Sequence, residues 1–167
     1  MAGLEIKIKG DLKEALIAQK EIEVSSLRML ISAIGSKITE KRTRIWKAKP
    51  ELSSKDLGEE SQLNEEEVIE VISSEIKKRR EAILGFEKGG REESAKKEKQ
   101  ELEILQKYLP EQLSEEDIKK IAKEAVVKTG AGGVKDMGKV MAELMPKVKG
   151  KADASLVSKT VKELLAG

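Results

Sequence analysis

The sequence contains no cysteine and no histidine among its 167 residues. Disulfides, thiolate and imidazole metal ligands, cysteine nucleophiles and histidine acid–base catalysis are therefore excluded. Aromatic residues are almost as scarce, because Trp46, Phe86 and Tyr108 are the only three. Three aromatics cannot form the row of stacking platforms on which single-strand binders hold successive bases. These absences favour a binding protein over an enzyme.

Long apolar runs are also missing. The longest stretch without a charged residue is Met29–Ser36, eight residues, whereas a membrane-spanning helix needs roughly 18. No N-terminal segment resembles a secretory signal. We therefore expect a cytoplasmic protein without membrane contact.

Charge is abundant but balanced, with 33 basic and 31 acidic residues. Its distribution is uneven: residues 1–48 carry +4 (10 basic, 6 acidic), 49–110 carry −4 (12 and 16) and 111–167 carry +2 (11 and 9). Any basic surface is therefore local and near one end of the chain.

Apolar residues recur at helical spacing through most of the N-terminal two thirds. This pattern predicts four helices, over about 4–20, 22–46, 65–88 and 92–109. Asn64, followed by three glutamates, is a typical N-cap of the third helix, and Gly89–Gly90 is its predicted end. Residues 48–62 lose the periodicity and collect proline, serine and glycine, which predicts a flexible connection.

The C-terminal third has the same helical character. Pro110 ends the preceding helix, and Ser114 with Asp117 predicts the cap of the next one. A glycine-rich break at 129–133 separates it from two further helices, over about 134–145 and 154–165, the last with Asp153 as N-cap. Between these two helices the pattern predicts a basic turn around Pro146. The fold class is all-α: an antiparallel helical bundle over 1–109 and a small three-helix domain over 110–167.

The strongest candidate for a binding surface is a set of lysines near the C-terminus. From Lys135 to Lys162 there are seven lysines and three acids, a local net charge of +4, which suits a phosphate backbone. These lysines suit a merely well-solvated surface equally, and the sequence leaves both interpretations open. The candidate RNA-binding residues are Lys135, Lys139, Lys147, Lys149, Lys151, Lys159 and Lys162.

Other motifs predict no cofactor, no metal site and no small-molecule substrate. Residues Gly133–Val140 nearly match a phosphate-binding loop, but Val140 has no hydroxyl for Mg²⁺ and no strand precedes it; Gly138 is instead predicted to allow close helix packing. The acid clusters stand at predicted helix starts, where negative charge is favourable without any catalytic role. The basic run Lys77–Arg80 is predicted to be a solvated helix face.

A second function hypothesis rests on methionines. Met137, Met141 and Met145 recur every four residues, which places them in one row on a helix. Such a row can offer an adaptable apolar surface to a protein partner. The same spacing is typical of core packing, so a protein-interaction adaptor is the alternative to RNA binding.

Four stretches together resemble the GatB/YqeY family. They are LRMLISAI (Leu27–Ile34), IEVISSEIKKRREAILGFEKGGRE (Ile69–Glu92), YLPEQLSEED (Tyr108–Asp117) and DMGKVMAELMPKVKGKADASLVSKTVKELL (Asp136–Leu165). The resemblance covers nearly the whole chain, and residues 48–62 look like an insertion. It implies an all-helical fold whose C-terminal domain is similar to the tail of the B subunit of the tRNA-dependent amidotransferase.

In that enzyme the tail is implicated in holding tRNA, so the resemblance implies a tRNA-contact role for 137–140 and 147–153. The ATP-using core of the B subunit and the Ser-Ser-Lys centre of its partner subunit have no counterpart here. We therefore expect a non-catalytic, tRNA-associated module, with tRNA or a protein as partner. A role as the accessory part of a carbon–nitrogen ligase with glutamine as amido-N-donor is the third possibility, and it follows the family label.

Overall fold

The computed structural model describes residues 2–166, which form eight α-helices and one 3₁₀ turn and no strand. The all-α fold class predicted from the sequence is therefore confirmed. The helices are α1 (Gly3–Ile17), α2 (Glu21–Ala48), α3 (Ser54–Glu60), α4 (Glu65–Lys88), α5 (Glu92–Gln106), α6 (Glu115–Thr129), α7 (Met137–Val148) and α8 (Ala154–Ala166).

The chain divides into two compact units, Met1–Leu109 and Pro110–Gly167. In the first unit α1 packs on α2, α4 packs on α5, and α2 contacts both α4 and α5. The apolar stripes of these helices meet in one core, because each helix must bury its apolar face against another. The fully buried side chains at its centre are Ile8, Leu27, Leu30, Val68, Ile72 and Leu105.

Helix α4 begins and ends where its sequence signals predict. The Asn64 side chain accepts a hydrogen bond from the Glu67 N–H, and the Glu67 carboxylate accepts one from the Asn64 N–H, both at 2.9 Å. This reciprocal capping box satisfies two amides that a helix start leaves without intrahelical partners. The helix ends at Lys88, and Gly90 follows with φ +66°, a left-handed conformation that glycine adopts without strain.

The predicted flexible connection over 48–62 is wrong, because this segment contains α3. Ser53 caps the helix by accepting a hydrogen bond from the Asp56 N–H. Leu57 is buried, and α3 packs on α2. Seven residues are too few to display a helical period in sequence, so a local cap and one buried leucine determine the structure here.

In the second unit α6 contacts both α7 and α8, and these two contact each other. Their core is built from aliphatic residues, four of them valines: Ile118, Ala122, Ala125, Val140, Leu144, Val148, Val157 and Val161. The predicted cap of α6 is confirmed as a capping box between Ser114 and Asp117. Helix α6 ends at Thr129, and Gly130 caps it with φ +63°.

The predicted turn around Pro146 is wrong, because Pro146 lies inside the last turns of α7 and the helix continues to Val148. The helix also begins later than predicted, after a 3₁₀ turn at Val134–Asp136. Proline removes one helical hydrogen bond, but Val140, Leu144 and Val148 are all buried in the core. Packing of this stripe holds the helix through the proline.

Candidate nucleic-acid interface

All seven candidate lysines are exposed. Lys135 lies in the 3₁₀ turn and Lys139 in the first turn of α7. Lys147 is in the last turn of α7, Lys149 and Lys151 are in the connection to α8, and the other two lie on α8 itself: Lys159 and Lys162. Every one of these side chains can therefore reach a partner in solution.

The lysines do not form one continuous cluster along α7. Lys139 and Lys147 are eight residues apart on that helix, which separates their backbone positions by roughly 12 Å. Lys135 and Lys139 are near the N-terminal end of α7, and Lys147, Lys149 and Lys151 are at its C-terminal end and in the connection that follows. The remaining two, Lys159 and Lys162, lie within α8, a helix that also contacts the 3₁₀ turn before α7. The sequence treats the seven as one set, whereas the structure distributes them over the 3₁₀ turn, both ends of α7, the α7–α8 connection and α8.

Acids of the same unit neutralise part of this charge. Lys147 lies 3.4 Å from Glu143, and Lys128 lies 2.6 Å from the same carboxylate oxygen. The hydrogen bond from Lys128, together with the weaker one from Lys147, lowers the pKa of Glu143. Lys147 is therefore only partly compensated, because its acid is shared with a closer lysine.

Two more of the seven lysines have acidic neighbours on their own helical segment. Lys139 contacts Asp136 at 3.2 Å, and Lys159 is 3.9 Å from Glu163. Both lysines are almost three-quarters exposed, so these contacts are weak and can exchange for phosphate. Three others form no ion pair within residues 2–166: Lys135, Lys151 and Lys162.

The α7–α8 connection, residues 149–153, is fixed by hydrogen bonds from the start of the unit. The Gln112 side-chain amide donates to the Gly150 carbonyl at 2.8 Å, and the Leu113 N–H donates to the Lys151 carbonyl at 2.7 Å. Gly150 has φ +74°, a left-handed conformation that allows the chain to reverse direction within the connection. Two of the stretches that carry the family resemblance, 108–117 and 136–165, therefore meet at this connection.

The N-terminus of α8 is already occupied by a carboxylate. Asp153 accepts hydrogen bonds from the Ser155 N–H at 2.8 Å and the Leu156 N–H at 3.4 Å, which confirms the predicted N-cap. A negative charge at this position disfavours a second anion there. The groups of the connection that remain available to an anion are therefore its lysine side chains rather than the amides at the start of α8.

The methionine row belongs to the edge of the core. Met137, Met141 and Met145 are half-buried and pack against the buried cluster of the second unit. Their apolar surface is therefore largely used inside the unit. The adaptor hypothesis loses the surface on which it was based.

Gly138 does not allow close packing, so that prediction is wrong. It is exposed, and a Cβ built on it meets nothing within 4 Å. The residues before it form a glycine-containing loop and a 3₁₀ turn rather than a strand, as the mismatch with the phosphate-binding motif indicated. Among residues 2–166, moreover, no three acids are grouped closely enough to hold a metal ion.

The basic run Lys77–Arg80 is only partly a solvated face. Arg79 is 4% exposed; its guanidinium contacts Glu75 at 3.4 Å and Glu101 of α5 at 3.2 Å. The sequence did contain a signal for this. Arg79 is three residues after Ile76 and four before Ile83, so it lies on the apolar stripe of α4.

The basic residues of α2 also divide between two roles. The Lys41 ammonium donates to Glu67 at 2.7 Å and to the Gln62 carbonyl at 2.8 Å, which fixes α2 against the start of α4. The hydrogen bond from Lys41 lowers the pKa of Glu67. Arg42 and Arg44, in contrast, are exposed.

None of the helices between Ala2 and Ala166 combines the length and apolar character that a bilayer crossing requires.

The chain matches the family described as Yqey-like protein over residues 5–165. It is also similar to two fungal proteins named Altered inheritance of mitochondria protein 41, mitochondrial. Identity is 29% over 102 residues for that of Vanderwaltozyma polyspora and 30% over 102 residues for that of Eremothecium gossypii. In both cases the match covers 61% of this chain and 46% of the relative, so the chain spans less than half of these relatives. Because the family match extends over almost the entire sequence, the chain belongs to the YqeY-like protein family.

Proposed function

We propose that this chain is a non-catalytic binding module that holds tRNA through the α7–α8 connection, with Lys147, Lys149 and Lys151 as the phosphate contacts. The observation that carries the proposal is the fixed connection itself. Hydrogen bonds from Gln112 and Leu113 hold its backbone, while its lysines are exposed. A backbone ordered in advance loses less conformational entropy when a ligand binds.

The chemistry of lysine limits what such a surface reads. Ammonium groups contact phosphates as point charges, and phosphate contacts carry no base sequence. Binding is therefore led by the shape and charge of the RNA and falls as salt rises. The resemblance to the amidotransferase tail supports tRNA as the RNA, since its motifs coincide with 137–140 and 147–153.

We expect no catalysis by the chain alone. Cysteine and histidine are absent, and one acid of the cluster at the start of α4 and one at the start of α6, Glu67 and Asp117, belong to capping boxes. An accessory role beside a carbon–nitrogen ligase is compatible with a tRNA-holding module and stays a prediction. The expected cytoplasmic location also stays a prediction, because the two fungal relatives carry the word mitochondrial in their names.

The test is fluorescence anisotropy of labelled tRNA, deacylated and aminoacylated, with the full-length chain across a salt series. The variant Lys147→Ala/Lys149→Ala/Lys151→Ala should lower the slope of log affinity against log salt by about 3, one for each lost phosphate contact. The charge-matched control is Lys88→Ala/Lys96→Ala/Lys97→Ala, which removes three exposed lysines of the first unit and should leave the slope unchanged.

Two outcomes would reject the proposal. One is that the triple lysine variant of the α7–α8 connection, Lys147→Ala/Lys149→Ala/Lys151→Ala, has the same tRNA affinity and salt slope as the wild type. The other is equal affinity for tRNA and for duplex DNA of the same length, because a tRNA-holding surface must prefer the shape of its ligand.

A further inference from the structure

The C-terminal half of α2 carries a dense basic stretch. Lys41–Lys49 reads KRTRIWKAK, five basic residues without an acid. Lys41 and Lys49 are bound internally, to Glu67 at 2.7 Å and Glu60 at 2.9 Å. The remaining three are exposed and form no ion pair within residues 2–166: Arg42, Arg44 and Lys47.

The only tryptophan of the chain stands among these cations. Trp46 is 53% exposed, while Tyr108 is buried and Phe86 is half-buried beneath the Arg91 guanidinium, 5.1 Å from it. Arg42 is four residues before Trp46 and therefore lies on the same helix face, one turn away. Basic residues near a helix C-terminus are explained by the helix dipole, but an exposed indole is not.

We propose that Arg42, Trp46 and Lys47 form a second RNA contact, in which one unpaired base stacks on the indole and the adjacent phosphates meet the two cations. The proposal rests on the proposed function in taking RNA as the ligand, and extends it to a different surface. A base has an apolar π-face and a charged backbone, and this site offers an aromatic plane with a guanidinium and an ammonium beside it. One platform holds one base, so the scarcity of aromatics is no obstacle.

A lipid surface fits these residues less well. Membrane-surface helices expose a continuous apolar face beneath their basic residues. On α2 the only large exposed apolar side chains are Met29 and Trp46, which are 17 residues and so roughly 25 Å apart along the helix. The residues one turn before Trp46 on the helix are Arg42 and Thr43, so Trp46 does not belong to a continuous exposed apolar face of the kind that inserts among acyl chains.

Because Trp46 is the sole tryptophan, its fluorescence reports this site alone. Titration of the full-length chain with an eight-nucleotide oligouridylate at low salt should quench the emission to saturation, and added salt should reverse the quenching. Measured by anisotropy of the labelled oligonucleotide, Trp46→Leu should weaken binding about tenfold, the loss of one stacked base. Trp46→Phe keeps an aromatic face and should stay within about threefold of the wild type.

Substitution at an exposed position leaves the fold in place, which circular dichroism would verify for each variant. The proposal fails if Trp46→Leu and Trp46→Phe bind the oligonucleotide equally. It also fails if polyglutamate, or vesicles of phosphatidylserine and phosphatidylcholine, change the emission while RNA does not.

The two RNA contacts are separable by experiment. If the triple lysine variant of the α7–α8 connection loses tRNA binding while RNA never quenches Trp46, the proposed function stands and this second contact falls. If RNA quenches Trp46 while that variant binds tRNA normally, the second contact stands and the lysine site falls.

Discussion

Arg79 shows what a single charged residue does inside the first unit. Its guanidinium joins Glu75 of its own helix to Glu101 of α5, and one of its nitrogens contacts the Met29 sulfur of α2 at 3.8 Å. Lys78 adds a 2.6 Å contact to Glu75 from the solvent side. The arginine thus compensates two acids at a point where three helices meet, and its Nε is left without a partner.

Removal of Arg79 should be strongly destabilising. Arg79→Leu leaves the Glu101 carboxylate buried without its cation, which should lower the free energy of unfolding by about 3–5 kcal/mol. Urea unfolding followed by circular dichroism measures this. Arg79→Leu/Glu101→Leu should recover part of the loss, and Lys77→Leu, an exposed change on the same helix, should have little effect. A double variant no more stable than Arg79→Leu would show that Glu101 is not the charge that matters.

At the scale of the helix, sequence signals predicted most starts and ends. Asn64, Ser114 and Asp153 were found because a cap is a local interaction between neighbouring residues. The short helix α3 was missed because seven residues show no helical period, although its cap, Ser53 with Asp56, is local. The continuation of α7 through Pro146 was missed because tertiary packing, through Val148, overrides the local signal. Sequence periodicity cannot report such packing.

The start of α4 also carries a pH-dependent contact. The hydrogen bond from Lys41 lowers the folded-state pKa of Glu67 below its unfolded value of about 4.3. The ionised carboxylate therefore stabilises the fold above that pH, and the contribution is lost as pH falls through the folded pKa. Protonation removes a contact that joins α2 to α4.

Glu67→Gln retains an acceptor for the Asn64 N–H and removes the charge. It should be less stable than the wild type by about 1 kcal/mol at pH 7, and the gap should close as the pH is lowered to about 3. The stability difference between the variant and the wild type is measured from urea unfolding midpoints at pH 7, 5 and 3. Glu81→Gln is the control, since Glu81 is exposed on the same helix and forms no ion pair within residues 2–166. A gap of equal size at pH 7 and pH 3 would contradict the role of the charge.

For the whole molecule, the sequence predicted the helical class, which the structure confirms, whereas the role of the candidate lysines stays a prediction and their arrangement could not be read from the sequence. Periodicity identified each apolar stripe, because burial repeats with the helix turn. It could not separate Arg79, which is buried, from its exposed neighbours, nor show that the seven lysines are distributed over the 3₁₀ turn, α7, the α7–α8 connection and α8. Those features depend on contacts such as Gln112 with Gly150, which join residues distant in the chain.

The two units have separate cores, and this predicts where a core mutation acts. Leu144 is fully buried in the second unit and Leu105 in the first, and neither belongs to the other's cluster. Leu144→Ala removes buried apolar volume and should destabilise the second unit by about 2–5 kcal/mol. Hydrogen exchange followed by mass spectrometry should show faster exchange in 110–166 and unchanged exchange in 2–109.

Leu105→Ala is the reciprocal variant, of the same chemistry and burial, and should accelerate exchange in 2–109 alone. If either variant accelerates exchange in both units, they unfold as one cooperative body and the separate cores do not confer separate stability. If each variant accelerates exchange only in its own unit, a lysine variant of the α7–α8 connection can be tested for tRNA binding without a concern that it also destabilises the first unit. The exchange experiment therefore decides how the binding variants are interpreted, because it shows whether a change in one unit reaches the other.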